Sequence, residues 1–175
     1  QRDDFPIVFI PGVEITHVAP STVAPLARRA RELGAGLVVV HGETLCEPVA
    51  PGTNAAAVTC PDVDILAHPG LLTQDDACQA AANGVYLEIT SRFLHGQCNG
   101  LVAQRARAAR ARLVLNSDAH APRDFIDHEA ARLVAEGAGL DEQEVHDATV
   151  SNPEELVREA LARLEAFGIR PKEAG

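Results

Sequence analysis

The chain has 175 residues, 46% hydrophobic and 23% charged, which is the usage of a folded domain with one sizeable core and excludes pervasive disorder or a fibrous repeat. Lys+Arg 15 against Asp+Glu 25 leaves a net charge of −10, which argues against a broad nucleic-acid or anionic-membrane surface and allows only a local anion pocket. No apolar run approaches the roughly 18–20 residues needed to cross a bilayer, and Gln1-Arg2-Asp3-Asp4 opens no secretory signal. Four cysteines, Cys46, Cys60, Cys78 and Cys98, lie too far apart for a Cys-x-x-Cys pair and read as the reduced thiols of a cytoplasmic protein. With an aromatic content of 3%, platforms for base stacking are scarce, so the expected partner is a small molecule, with no nucleic acid and no membrane.

The elements alternate. Ile7-Val8-Phe9-Ile10 with Val13 and Ile15 predicts a strand within residues 5–16, bent at Pro11-Gly12. Ser21 is placed to cap a helix carrying Val23, Leu26, Ala30 and Leu33 at helical spacing, with Pro25 in its first turn and Gly34 past its end. Leu37-Val38-Val39-Val40 is a β-branched run of the kind buried on both faces of a parallel sheet. A short helix over 54–59 precedes a third strand over 63–67. Thr73 caps the next helix, whose Asp75 and Asp76 suit its N-terminal dipole. A fourth strand over 85–89, a helix opened by Asn99, and a fifth strand over 113–115 follow. The remainder reads as three helices, over 127–136, over 141–148, and one opened by Asn152 with Pro153 at its first position. Helices between parallel strands predict a right-handed α/β layer structure in a single domain over 1–175.

The chemistry-bearing residues recur at strand ends. Glu14 closes the first strand, His41 the second, His68 the third, Glu88 lies near the end of the fourth, and Asp118 and His120 follow the fifth. That C-terminal edge is where parallel α/β folds build sites. Neutral imidazoles and ionised carboxylates donate lone pairs to a divalent cation, and gathering them is costly unless a cation offsets their charge and desolvation. Arg92 and His95, after the fourth strand, suit an anionic group such as phosphate. Glu88 is open between acid/base work and holding Arg92. His17, His128, His146, Arg123, Glu43 and Glu47 read as surface or loop residues, and Cys46 as a thiol without a second to join it.

Pro11-Gly12-Val13-Glu14, Val40-His41-Gly42-Glu43, Asp64-Ile65-Leu66-Ala67-His68-Pro69-Gly70, Leu87-Glu88-Ile89-Thr90 and Asn116-Ser117-Asp118-Ala119-His120 resemble, in order, the PHP (polymerase and histidinol phosphatase) family, particularly its small histidinol-phosphatase-like members. The resemblance implies a distorted TIM-like (β/α)7 barrel of PHP type. It implies metal-ligand roles for Glu14, His41, His68, Asp118 and His120, holding two or three divalent ions, Zn, Mn or Fe. That family's opening His-x-His and the following Asp-His segment have no counterpart here, so the expectation is a barrel whose first two strands are absent from this chain, with open sheet edges that favour a homo-oligomer.

The function then expected is a metal-dependent phosphoesterase: a metal-bound hydroxide attacks a small phosphate monoester, with Asp118 and His120 as catalytic residues and Arg92 and His95 binding the phosphate. The alternatives are an amidohydrolase-type C–N hydrolase and a non-catalytic metal-binding or interaction domain. Dinucleotide, P-loop and Ser-nucleophile chemistries are excluded by the absence of their glycine-framed strings.

Overall fold

The computed structural model describes residues 8–169, so the part of the first predicted strand at residues 5–7 lies outside the described residues. Five strands form one sheet in sequential order: β1 (Gly12–Ile15), β2 (Leu37–His41), β3 (Ile65–Ala67), β4 (Tyr86–Thr90) and β5 (Leu113–Asn116). Every neighbouring pair is parallel, with Glu14 opposite Val39, His41 opposite Ala67 and Thr90 opposite Asn116. The crossovers contain α1 (Pro20–Glu32), α2 (Thr53–Val58), α3 (Gln74–Asn83) and α4 (Asn99–Ala109), and the chain closes with α5 (His128–Gly137), α6 (Glu142–His146) and α7 (Asn152–Ala166).

Side-chain alternation along the strands separates two apolar layers. Val38, Val40, Leu66, Leu87, Ile89 and Leu113 face the crossover helices, which meet them with Val23, Ala27, Ala57, Ala77, Ala80, Val102 and Ala106. The alanines let helix backbones lie close to the sheet. On the opposite face Ile65, Tyr86 and Val114, joined by Leu37 and Val39, pack against Leu156 of α7, which covers the N-terminal part of that face. The C-terminal part of the same face carries Glu14, His41, Glu88 and Asn116, so α7 fills one end of the inner face and leaves the other to polar residues.

A buried ion cluster fixes α7 there. Asp64, ahead of β3, accepts from Arg31 of α1 at 2.5 Å and from the Val38 N–H at 2.7 Å, and pairs with Arg163 of α7 at 2.9 Å. At the same edge the Arg112 guanidinium lies over the Tyr86 ring, 4.1 Å from its centroid, and donates to Glu155.

Several helix starts differ from expectation for local reasons. The first helix begins at Pro20, whose fixed φ suits the first helical position, so Ala19 rather than Ser21 is the N-cap and Pro25 falls in the second turn. Thr73 caps as expected, and Asp127 and Asp141, expected as the first residues of their helices, are N-caps too, each of the three accepting a backbone N–H three residues on. Asn99 instead brackets Thr90, accepting its N–H and donating to its carbonyl at 2.8 Å. Asn152 donates to the Leu113 carbonyl, and α6 runs into α7 through a π-helical turn, Asp147–Ser151, just before Pro153. Proline cannot donate to the carbonyl four residues back, and a widened turn accommodates that missing bond. The four cysteines are free thiols, with Cys60 and Cys98 buried. Among the described residues no helix is long and apolar enough to cross a membrane.

Candidate functional site

The histidine-bearing turns after β2 and β3 are nested into one another, and glycine makes this possible. A Cβ on Gly42 would lie 2.4 Å from the Ala67 carbonyl oxygen, and one on Gly70, whose φ is +63°, would lie 1.9 Å from the Glu43 carbonyl oxygen. The Glu43 side chain accepts from the N–H groups of Gly52 and Asn54, and the Asn54 amide donates to the Pro69 carbonyl, tying both turns to the start of α2. His17, His68 and Asp118, each just beyond a strand, have φ of 54°, 30° and 47°, and Leu94, preceding His95, has 68°. Non-glycine residues enter this region at a cost, and such strain concentrates at functional sites.

These turns bring His41, His68 and His95 together, with one ring nitrogen from each lying within 4.8 Å of the others. The His41 and His68 rings are 4.4 Å apart and those of His68 and His95 4.7 Å, both edge-on. Each Nδ1 faces an oxygen that can only accept: the Gly42 carbonyl at 2.9 Å, the Glu88 carboxylate at 3.3 Å and the Phe93 carbonyl at 3.3 Å. These acceptors favour the tautomer that carries its proton on Nδ1, in which Nε2 is left as a lone pair. Nε2 of His41 and of His68 are buried without a hydrogen-bond partner. Glu47 closes the open side: Oε2 lies 3.8 Å from His41 Nε2 and 3.5 Å from His95 Nε2, and Oε1 is 3.0 Å from His17 Nε2.

The electrostatics follow from burial and neighbours. Burial, then the adjacent His68, push the His41 pKa below its ordinary value. Burial opposes charge on His68 as well, but the Glu88 hydrogen bond and the carboxylates of Glu88, Asp118 and Glu14 outweigh it and its pKa is raised. Glu14 lies on the exposed edge strand with its carboxyl toward the crowded inner face; burial, then repulsion from Asp118, raise its pKa. The His17 hydrogen bond holds Glu47 below the usual carboxylate range.

The expected site is thus regrouped. His41 and His68 lie in the imidazole cluster, and His95, expected beside Arg92 as a phosphate ligand, joins them. Glu14 and Asp118 act on the cluster through charge. His120 turns away, 63% exposed, with Nδ1 on the Asp118 carbonyl at 2.8 Å. Arg92 is engaged by the Asp118 carbonyl and by Asp124 at 3.0 Å. Asp124 in turn accepts from the His120 and Ala121 N–H groups. Glu88 holds His68 and Asn116 rather than Arg92. Glu47, read as loop charge, is the residue sequence reasoning missed. Its partners His17 and His95 are 30 and 48 residues away, and nothing local marks the contact. Beside the cluster is a cleft of about 580 Å³ lined by Arg92, Phe93, His95, His120 and Arg123 among others.

No protein-family model matches the sequence. The chain is 45% identical, over 87% of its length and 70% of the other protein's, to Uncharacterized protein MJ1295 of Methanocaldococcus jannaschii. It is 31% identical to ribonuclease P protein component 3 of Methanosarcina mazei over 84% of this chain, and 30% identical to that of Methanosarcina acetivorans over 83%. It spans 65% and 64% of the length of those two proteins. A chain in the cryo-EM structure of archaeal ribonuclease P with mature tRNA shares the fold, with a TM-score of 0.67 over 95% of this chain and 74% of its own, at 15% identity.

These relatives correct the PHP reading. Two of them are named as a ribonuclease P component and the solved structure is of ribonuclease P with tRNA, so the PHP-type phosphatase, the small phosphorylated substrate and the exclusion of nucleic acid are all withdrawn. Much of the string resemblance has a structural cause. His-Gly-Glu and His-Pro-Gly carry the glycines and the positive-φ histidine that nested strand-end turns require, whatever chemistry follows. The fold is an α/β structure on a five-stranded parallel sheet, and the PHP-specific barrel is not supported.

Proposed function

We propose an RNA-processing role for this chain, which belongs to the same protein family as the uncharacterized Methanocaldococcus jannaschii relative: it is a protein subunit of a ribonuclease P-type assembly. The observation that carries this reading is its sequence likeness, along most of its length, to the two ribonuclease P protein components 3. The sheet, with parallel strands in sequential order, reads as an arc of a TIM-like barrel in that role.

A net charge of −10 is unsuited to wrapping RNA, so the reading calls for a local contact. The cleft beside the histidine cluster offers one. Phe93 is 84% exposed at its rim and Arg123 is 89% exposed. Arg123 pairs with Asp124 at 3.8 Å but keeps most of its guanidinium in solvent, and an exposed ring with a solvent-facing guanidinium on one cleft is a combination on which an unpaired base stacks while its phosphate is neutralised.

The test is crosslinking and sequencing of RNA recovered with the tagged chain from its own cells. Enrichment of ribonuclease P RNA or precursor tRNA over total RNA is the expected result. Recovery of neither overturns the assignment.

A further inference from the structure

Three imidazoles, from the last residue of β2 and the turns after β3 and β4, converge with their Nδ1 atoms already facing oxygen acceptors, and the Nε2 atoms of His41 and His68 are buried and without a hydrogen-bond partner. Left like this, the arrangement is unfavourable twice over: buried acceptors lack donors, and lone pairs point at lone pairs. The surroundings are negative, since the Glu14, Glu88 and Asp118 carboxylates all act on His68. A cation among the Nε2 atoms removes both penalties.

We propose that His41, His68 and His95 bind one divalent transition-metal ion through their Nε2 atoms, with the Glu47 carboxylate as the oxygen donor. Three nitrogens and one oxygen are a donor set of the zinc class. Nitrogens around a tetrahedral zinc stand roughly 3.3 Å apart given bond lengths of about 2.0 Å. One ring nitrogen from each of the three histidines already lies within 4.8 Å of the others, so each needs to close inward by less than about 1 Å, and the Glu47 carboxylate stands 3.5 Å from His95 Nε2 and 3.8 Å from His41 Nε2. His68 is backed as metal-bound histidines usually are: its other nitrogen donates to Glu88, and Asn116 holds the second Glu88 oxygen at 3.2 Å. Glu47 is half exposed and also held by His17, so the fourth position lies on the solvent side. The centre differs from the set implied by the strand-end strings: His95 and Glu47 enter, and His120, 63% exposed and turned onto Asp118, does not. It requires no RNA and stands or falls independently of the RNA-processing role.

The test is titration of the chelator-stripped chain with zinc chloride by calorimetry and with cobalt chloride by visible absorption. One ion per chain at micromolar free metal is expected, together with the intense d–d bands of four-coordinate cobalt. His95→Gln, on the turn after β4 with its side chain 9% exposed, lowers affinity at least tenfold while the circular dichroism spectrum keeps its shape. Glu88→Gln lowers affinity about 10–100-fold by loosening His68. Cys46→Ser leaves binding unchanged, because the exposed Cys46 thiol is outside the cluster. Substoichiometric binding, six-coordinate cobalt spectra, or affinity that survives His95→Gln and is lost with Cys46→Ser each overturn the proposal. Should a variant unfold, the histidine ¹⁵N resonances of the wild-type chain decide: zinc must move the Nε2 signals of His41, His68 and His95 and leave those of His128 and His146 unmoved.

Discussion

Nδ1 of His68 stands 3.3 Å from Oε1 of Glu88, with both side chains buried beneath the strand ends. The other Glu88 oxygen accepts from Asn116, so one carboxylate aligns a histidine from β3's turn with the end of β5. Glu88→Leu leaves the buried His68 donor and the part-buried Asn116 donor without their acceptor and is expected to cost about 2–3 kcal/mol, with Glu88→Gln costing less because it keeps one carbonyl oxygen. Urea denaturation of both variants checks the order; equal stabilities would remove Glu88 as the organiser of this edge.

Asp64 is expected to be the most sensitive charged position away from the site. It is 6% exposed and serves Arg31, Arg163 and the Val38 N–H together, so Asp64→Ala takes the shared carboxylate from two guanidinium groups that keep only the Ala35 and Gly36 carbonyls and, for Arg163, Glu159. Breaking one side of a buried pair costs about 3–5 kcal/mol. Part of that is lost to solvent screening, because the Arg163 side chain is 36% exposed, and about 3 kcal/mol is the expectation in urea.

Gly70→Ala tests the nesting of the two histidine turns. Its Cβ would meet the Glu43 carbonyl oxygen at 1.9 Å in a conformation with φ of +63°, so the turns must separate. A loss of about 3 kcal/mol or more is expected. Gly137→Ala, where a Cβ meets nothing within 4 Å, serves as the control and leaves the fold intact or slightly stabilised.

Acid should open the turn after β5 before the rest of the fold. The Asp124 carboxyl is held below its ordinary pKa, first by the His120 N–H, then by the Ala121 N–H and Arg92. A depressed carboxylate contributes its full stabilisation above its unfolded pKa and loses it as pH falls through the lower folded value. Hydrogen exchange at the His120 and Ala121 amides should therefore accelerate, beyond its intrinsic pH dependence, only below the usual aspartate range. In Asp124→Asn it should be fast throughout and carry no such step.

If the cleft rim contacts RNA, Phe93→Ala separates binding from stability. At 84% exposure the ring contributes little to the core, so the urea midpoint should stay within about 0.5 kcal/mol of wild type. RNA affinity should fall about tenfold, the lower end of a lost base-stacking contact. Unchanged affinity would place the RNA contact elsewhere.

By itself the sequence determined the α/β alternation, the five parallel strands, and the delivery of polar residues to one edge. These follow from local periodicity, from caps such as Thr73, and from the rule that parallel strands expose their C-terminal ends together. It also supplied the strings Val40-His41-Gly42 and His68-Pro69-Gly70, whose glycines prove to be demanded by the turns. Only the tertiary structure decided which of those polar residues meet. His95 joins His41 and His68 because the turn after β4 folds back over the sheet, and Glu47 reaches them from a loop whose conformation no local signal encodes. Likewise Asp118 and His120 stay together, with His120 Nδ1 3.6 Å from an Asp118 carboxylate oxygen, but with Asp118 in the left-handed region at φ 47° neither joins the imidazole cluster. Periodicity fixes the face a side chain occupies along a regular strand; beyond the strand end the backbone leaves that period, and the partners are set by packing between loops.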